Sequence, residues 1–301
     1  MENTDISVYG AYIRDHSAEY TEKVLFGIIA RMFIMFFGIW GNFNLIYAVY
    51  RNPGLRSCSG ILLAITAIAN TFHQSSHLFY TYLVFAKVNL VTVRTCVFVN
   101  TLPNIGFHVG LLMVFFLAVD RLICVLFPVT RRRMTETTFI AIYMLITSII
   151  TVFFVSFAYY ELFRLGPGQL VFCLVTDGLP GRAGRSWFFV CLIGSSLALV
   201  CYVIIWVLLK MSKRKQKDSG TAKMFKSLFS ICVVICTCWM AIGTLFVCVA
   251  LIDIPTMDAW FIRYNLGVAI NFACSCNYYI LFYCRTNVRR KGHKRIILAN
   301  F

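Results

Sequence analysis

Seven stretches of the chain leave little choice of fold: Val24 to Val49, Ser59 to Phe85, Cys96 to Val119, Thr138 to Tyr160, Trp187 to Leu209, Leu228 to Leu251 and Ile262 to Tyr283 are almost wholly apolar. Each exceeds the roughly 20 residues that an α-helix, rising about 1.5 Å per residue, needs to cross a hydrocarbon core about 30 Å thick. Lipid offers no water to backbone N–H and C=O groups, so a spanning segment has to satisfy them internally, as a helix does. The pattern predicts an all-α membrane protein, a seven-transmembrane helix bundle. Composition agrees, with 60% apolar and only 13% charged residues, where soluble domains carry about a quarter charged.

The formal net charge of +16 would suit a nucleic-acid partner if it were spread over a folded surface, but it is not. Assigning the segments between spans alternately to two sides puts 19 of the 28 Lys/Arg on one side with three of the 12 acids, leaving nine of each elsewhere. Positive charge collects on the cytoplasmic side of membrane proteins, which predicts the N-terminus outside and the C-terminus inside. Nucleic acid is excluded as a partner. The first 20 residues lack the apolar stretch of a cleavable signal peptide, so the first span is expected to direct its own insertion.

The third span carries the most specific marks. It opens on Cys96 and closes on Asp120-Arg121, with Pro128 and the basic run Arg131 to Arg133 beyond. From Cys96 to Arg121 a helix would extend about 37 Å, placing the two at opposite faces of the membrane. This stretch resembles the third helix of rhodopsin-like (class A) G-protein-coupled receptors, in which an outer cysteine is tethered to an extracellular loop and an inner Asp-Arg-Tyr triplet governs G-protein engagement. Here Leu122 replaces the tyrosine. Gly41-Asn42 in span one, Cys238-Trp239-Met240-Ala241 in span six and Asn277-Tyr278-Tyr279 in span seven extend the resemblance, which is greatest to the nematode serpentine chemoreceptors of the srsx class.

The departures carry information too. Asn70 stands where the family has a sodium-binding aspartate, so no sodium site is expected. Pro103 stands where amine receptors carry an aspartate, which argues against an ammonium ligand and predicts a helix kink, with Gly106 and Gly110 assisting. Span seven has no lysine for a retinal Schiff base. Ala241 replaces the proline of helix six, and Thr221 replaces an acid that locks the helix-three arginine in some relatives, leaving Asp120 as the main restraint on Arg121.

The resemblance implies a receptor with no chemistry or cofactor of its own, multi-pass in the plasma membrane. Residues 1–23 form a short extracellular tail, 24–285 the receptor domain, and 286–301 a basic cytoplasmic tail with a short membrane-surface helix. Its partners would be a heterotrimeric G protein, an extracellular small molecule or peptide, and membrane lipids. The expected ligand pocket is His77, Asn104, Phe107, His108, Trp239 and Asn271; coupling rests on Asp120, Arg121 and Pro128. Of the 13 cysteines, Cys96 and Cys173 alone lie at the outer surface without competing apolar context, which makes them the expected disulfide, with Cys248 as the rival partner. Asn42, Asn70 and Asn277 are expected to form a neutral interhelical cluster. His73 and His77 share a helix face, and with His108 they could in principle hold a metal, but no acid lies near enough to orient them, so no metal site is expected. Arg31, within span one, has to reach the membrane surface or contact a ligand, and the surface is the favoured expectation.

Other classes fit less well. Carriers mark their path with intramembrane acids or broken helices in repeated halves, and neither is seen. Grouped nucleophiles of an enzyme are missing. A divergent receptor that does not signal, and a ligand-gated ion-conducting protein, are the alternatives.

Overall fold

The computed structural model describes residues 17–166, 168–211 and 256–280, with scattered positions between 229 and 244. The chain is an all-α membrane protein. Its helices are α1 (Ser17–Arg51), α2 (Cys58–Phe85), α3 (Val93–Val99), α4 (Thr101–Leu126), α5 (Pro128–Arg133), α6 (Glu136–Leu165), α7 (Gly181–Met211) and α8 (Thr256–Ser275). A further helical turn covers 277–280. Two short strands, β1 (Val91–Thr92) and β2 (Leu170–Val171), pair antiparallel with Val91 opposite Val171.

Among the described residues, four helical stretches are long and apolar enough to cross a membrane: Thr21–Arg51, Thr101–Leu126, Glu136–Leu165 and Gly181–Leu208. Helix α2 is of similar length at 28 residues, but its middle carries Asn70, Thr71, His73, Gln74, Ser75, Ser76 and His77. That polar run is tolerable because α2 turns it mostly inward: Asn70, His73, Gln74, Ser76 and His77 are all buried against neighbouring helices. Helices α1 and α6 instead expose large apolar side chains, Phe26, Phe33, Phe37, Trp40 and Phe43 on the first and Leu145, Ile149, Val152 and Phe153 on the second. In water such stripes would drive aggregation, whereas acyl chains cover them without cost.

Helix α4 runs through the centre, packing on α2 along one side and on α6 and α7 along the other. Met113, Leu117, Leu62, Trp187 and Tyr202 belong to the core around it. Two glycines set the approach to α2. A Cβ on Gly106 would lie 2.4 Å from the Ala69 carbonyl oxygen, and one on Gly110 would lie 2.9 Å from Asn70 Oδ1. The pair therefore serves close helix contact, where the sequence suggested helix bending. The bend has its own place: the third span is interrupted at Asn100, between α3 and α4. Pro103 explains this position, since its ring removes a backbone donor and crowds the carbonyl four residues earlier.

Helix starts are encoded locally. Thr92 Oγ1 accepts from Thr95 N at 3.3 Å before α3, and Thr135 Oγ1 accepts from Thr138 N at 3.2 Å before α6, each satisfying a backbone donor left open at a helix N-terminus.

Candidate functional site

At one end of the bundle the connecting segments form a wall. Cys96 of α3 and Cys173 are joined by a disulfide with Cα atoms 5.2 Å apart. Both are buried, and Asn100 Nδ2 lies 3.3 and 3.2 Å from the two sulfurs. The ribbon of β1 and β2 holds the same loop from the other side, extended by Val93 N donating to the Gln169 carbonyl at 2.7 Å. Beyond Cys173 the chain makes a 3-10 turn, Val175–Gly178, whose Asp177 accepts from Leu174 N at 2.9 Å. Burial pushes the Asp177 carboxyl up from 3.8 to about 6, against the opposing pull of the Leu174 and Cys173 backbone donors. The turn presses onto α3 and α4: a Cβ on Gly178 would come within 2.6 Å of Asn104 Nδ2. Glu161 ties α6 to α7 here, accepting from Arg164 at 2.8 Å and from the Arg182 backbone at 3.0 Å. Nothing in the sequence singled out Glu161, although a lone acid between two arginine-bearing segments was a usable signal.

Below this wall a file of polar and aromatic side chains crosses the bundle. His77 on α2 bonds Asn271 on α8, Nε2 to Oδ1 at 2.8 Å. One turn along, His73 stacks on Phe107 of α4 at 4.8 Å, and its ring lies 6.1 Å from that of His77. Phe107 meets Trp187 at 6.0 Å, and His108 packs 4.1 Å from the same indole and 5.7 Å from Phe154. His108 is fully buried, with no hydrogen-bond partner for either ring nitrogen among the described residues. Thus His77 and Asn271 touch directly, Phe107 links them to His108 through His73, and Asn104 sits above, beneath Gly178. Trp239 lies outside the described residues. A small cavity opens beside the file, bounded by Asn70, His73, Phe107, Gly110 and Cys274; at about 10 Å³ of water-centre volume it suits roughly one water molecule.

Arg31 does not reach the surface. Its side chain is 4% exposed and turns into the bundle, where it donates to the Tyr264 carbonyl and lies 3.8 Å from the centroid of the Tyr264 ring. The surface expectation fails because α1 presents this residue to α8.

Asn42, Asn70 and Asn277 are all buried. Asn70 Nδ2 donates to the Cys274 carbonyl at 3.2 Å, while the buried amides of Asn42 and Asn277 have no hydrogen-bond partner among the described residues. Gln74, whose Nε2 donates to Ser275 Oγ at 2.7 Å, joins Asn70 and His77 in a polar seam between α2 and α8. Gln74 and Ser275 were both visible as rare polar residues inside apolar spans.

At the opposite end, Asp120 is fully buried and lies 3.4 Å from both Arg121 and Arg131. Ser59 Oγ donates to it at 2.8 Å. Arg131 also pairs with Glu136 at 2.7 Å and lies over the Phe139 ring at 4.3 Å, while Glu136 accepts from Cys58 N at 2.6 Å. Pro128 makes this return possible. It ends α4 at Phe127 and opens α5, where a proline costs no helical bond, and α5 carries Arg131 back over Asp120. The sequence has Asp120 as the main restraint on Arg121; Arg131 is the addition. Thr221 and Cys248 lie outside the described residues, as do the two tails up to 16 and from 281.

A family model described as "Serpentine type 7TM GPCR chemoreceptor Srsx" matches residues 35–296. No curated protein matches the chain.

Proposed function

The chain belongs to this serpentine chemoreceptor family, and from that premise we propose that it is a plasma-membrane receptor which binds an extracellular small molecule or peptide and activates a heterotrimeric G protein. In this reading the chain crosses the membrane seven times with its N-terminus outside. Residues 1–23 form the outer tail, 24–285 the receptor domain and 286–301 the basic inner tail, attracted to anionic lipid. The ligand enters among His77, Asn104, Phe107, His108, Trp239 and Asn271, and Arg121, held near Asp120 at rest, becomes available to the G protein when the bundle opens. A ligand shifts such an equilibrium only by binding one state more tightly than the other.

The observation that carries the reading is the buried Asp120, shared by Arg121, Arg131 and Ser59. A network closed on the family's signature arginine is a restraint that a conformational change can release. The test is G-protein dissociation, read for each Gα class in cells at equal surface expression, comparing the wild type with Arg121→Ala. The reading expects a basal or ligand-evoked signal that falls at least about tenfold in the variant, a loss near 1.4 kcal/mol of coupling. An equal signal from both would remove Arg121 from the mechanism, and a wild type silent towards a verified agonist would leave the non-signalling alternative.

A further inference from the structure

Arg31 is a cation within the membrane-spanning part of α1, enclosed by protein and unpaired by any acid among the described residues. What surrounds it is neutral: the carbonyl and ring of Tyr264, with Tyr80 behind at 5.4 Å between ring centroids. Nε has no hydrogen-bond partner. Among the described residues, the helices packed around it carry no acid close to Arg31 along the chain. After Glu22, α1 has no acid, α2 has none at all, and α8 has only Asp258 in its first turn. Glu22 is about 13 Å away along α1, and Asp258 about 9 Å before Tyr264 along α8, at 1.5 Å per residue.

A carbonyl and a ring face only partly replace the hydration an arginine loses on burial, so such residues in membranes generally have a partner or a function. The fold also makes room for this one. A Cβ on Gly267 would lie 2.7 Å from Arg31 Nη2, so the helix turn beside the guanidinium accepts nothing larger than glycine without a shift. The carbonyl of the same Gly267 accepts from Asn271 Nδ2 at 3.2 Å, so the turn of α8 beside Arg31 leads to the His77–Asn271 end of the file.

We propose that Arg31 forms the cationic part of a binding site for an organic anion whose carboxylate or phosphate oxygens complete the guanidinium. The planar fork of arginine recognises both head groups in a bidentate manner, and Nε supplies a free donor. The anion is either a soluble acid arriving from outside or the head group of an anionic lipid. The site deepens the chemoreceptor reading by giving the ligand a charge, but its test is independent of signalling.

The full chain is purified in nanodiscs and its Tm is measured in three conditions: neutral phosphatidylcholine with octanoate, the same lipid with octanol, and a disc containing phosphatidylglycerol without added acid. Wild type is expected to show a saturable rise of about 5 °C with octanoate or with the anionic lipid, and none with octanol. The first response identifies a soluble acid and the second a lipid. Arg31→Gln is expected to lose either response while its unliganded Tm equals or exceeds that of wild type, because an unpaired buried charge has been removed. Arg31→Lys keeps the charge without the fork and is expected to respond at about tenfold higher octanoate. The proposal is overturned if octanol matches octanoate with no effect of anionic lipid, if Arg31→Gln responds like wild type, or if its unliganded Tm falls by several degrees, which would make Arg31 a structural tie. Failure of this site leaves the Arg121-dependent G-protein signal untouched, and failure of that signal leaves the thermal shift.

Discussion

Two buried charged sites among the described residues are built on opposite principles. Around Asp120, one fully buried carboxylate is surrounded by two arginines and a serine, and the second acid, Glu136, holds one of those arginines from outside. Around Arg31 the cation has a ring face and a carbonyl. The first network places its carboxylate between two arginines and a serine without any other molecule, so it favours one arrangement of α2, α4, α5 and α6, and in the proposed reading it is broken for signalling. The second is incomplete and becomes stable when something is added. A paired charge acts as a latch, and an unpaired one as a site in waiting.

The contrast can be broken most forcefully at the wall that encloses the ligand file. Cys173→Ser frees the loop from α3, and a crosslink of this kind contributes about 2–4 kcal/mol. Surface expression and Tm are expected to fall together, with the inner network left intact; a variant of normal Tm would show that the ribbon alone holds the wall. At the inner end the test is Arg131→Ala. Asp120 then restrains Arg121 without competition, but the bridge to Glu136 and the Phe139 contact are lost, so α5 no longer clamps the inner end. Basal G-protein activation is expected to rise about threefold, in keeping with about 0.7 kcal/mol for a partly exposed pair. Unchanged basal activity would mean that α5 is held by its backbone alone.

A pH-dependent test of the same wall concerns Asp177. Its folded value of about 6 exceeds the ordinary 3.8, so the folded loop holds its proton more tightly than the unfolded chain does. Well below pH 4 both forms are protonated and there is no penalty; the penalty grows as the pH rises from about 4 to 6 and levels at about 3 kcal/mol by neutrality. Wild type should therefore melt higher at pH 4.5 than at pH 7 relative to Asp177→Asn, whose amide oxygen still accepts from Leu174 but does not ionise. Parallel melting curves across that range would discount the buried carboxylate.

Sequence patterning made the membrane class readable because about 20 apolar residues admit only a helix in lipid, and the inner motif was readable from Asp120, Arg121 and Pro128 at fixed spacing. The facing of each helix was not. In water, an apolar stripe marks the buried side; in lipid, both sides are apolar, and α1 carries Phe33, Phe36 and Phe37 outward beside buried Met35. That is why Arg31 was expected at the surface, and why Gln74 and Ser275 were passed over for Asn42 and Asn277. Likewise Gly106 and Gly110 announce either bending or close contact, and only the position of the Ala69 carbonyl decides between them.

The most direct measurement of the latch is basal G-protein activation by Asp120→Asn, compared with wild type and with the Asp120→Asn/Arg121→Ala double variant at equal surface level. The side chain keeps its shape and its bond from Ser59 while both ion pairs vanish, so basal activation is expected to rise about tenfold, the equivalent of 1.4 kcal/mol, and to disappear in the double variant. Basal activation at or below the wild-type level, in a properly expressed Asp120→Asn receptor, would contradict the role of Asp120 as the restraint on Arg121.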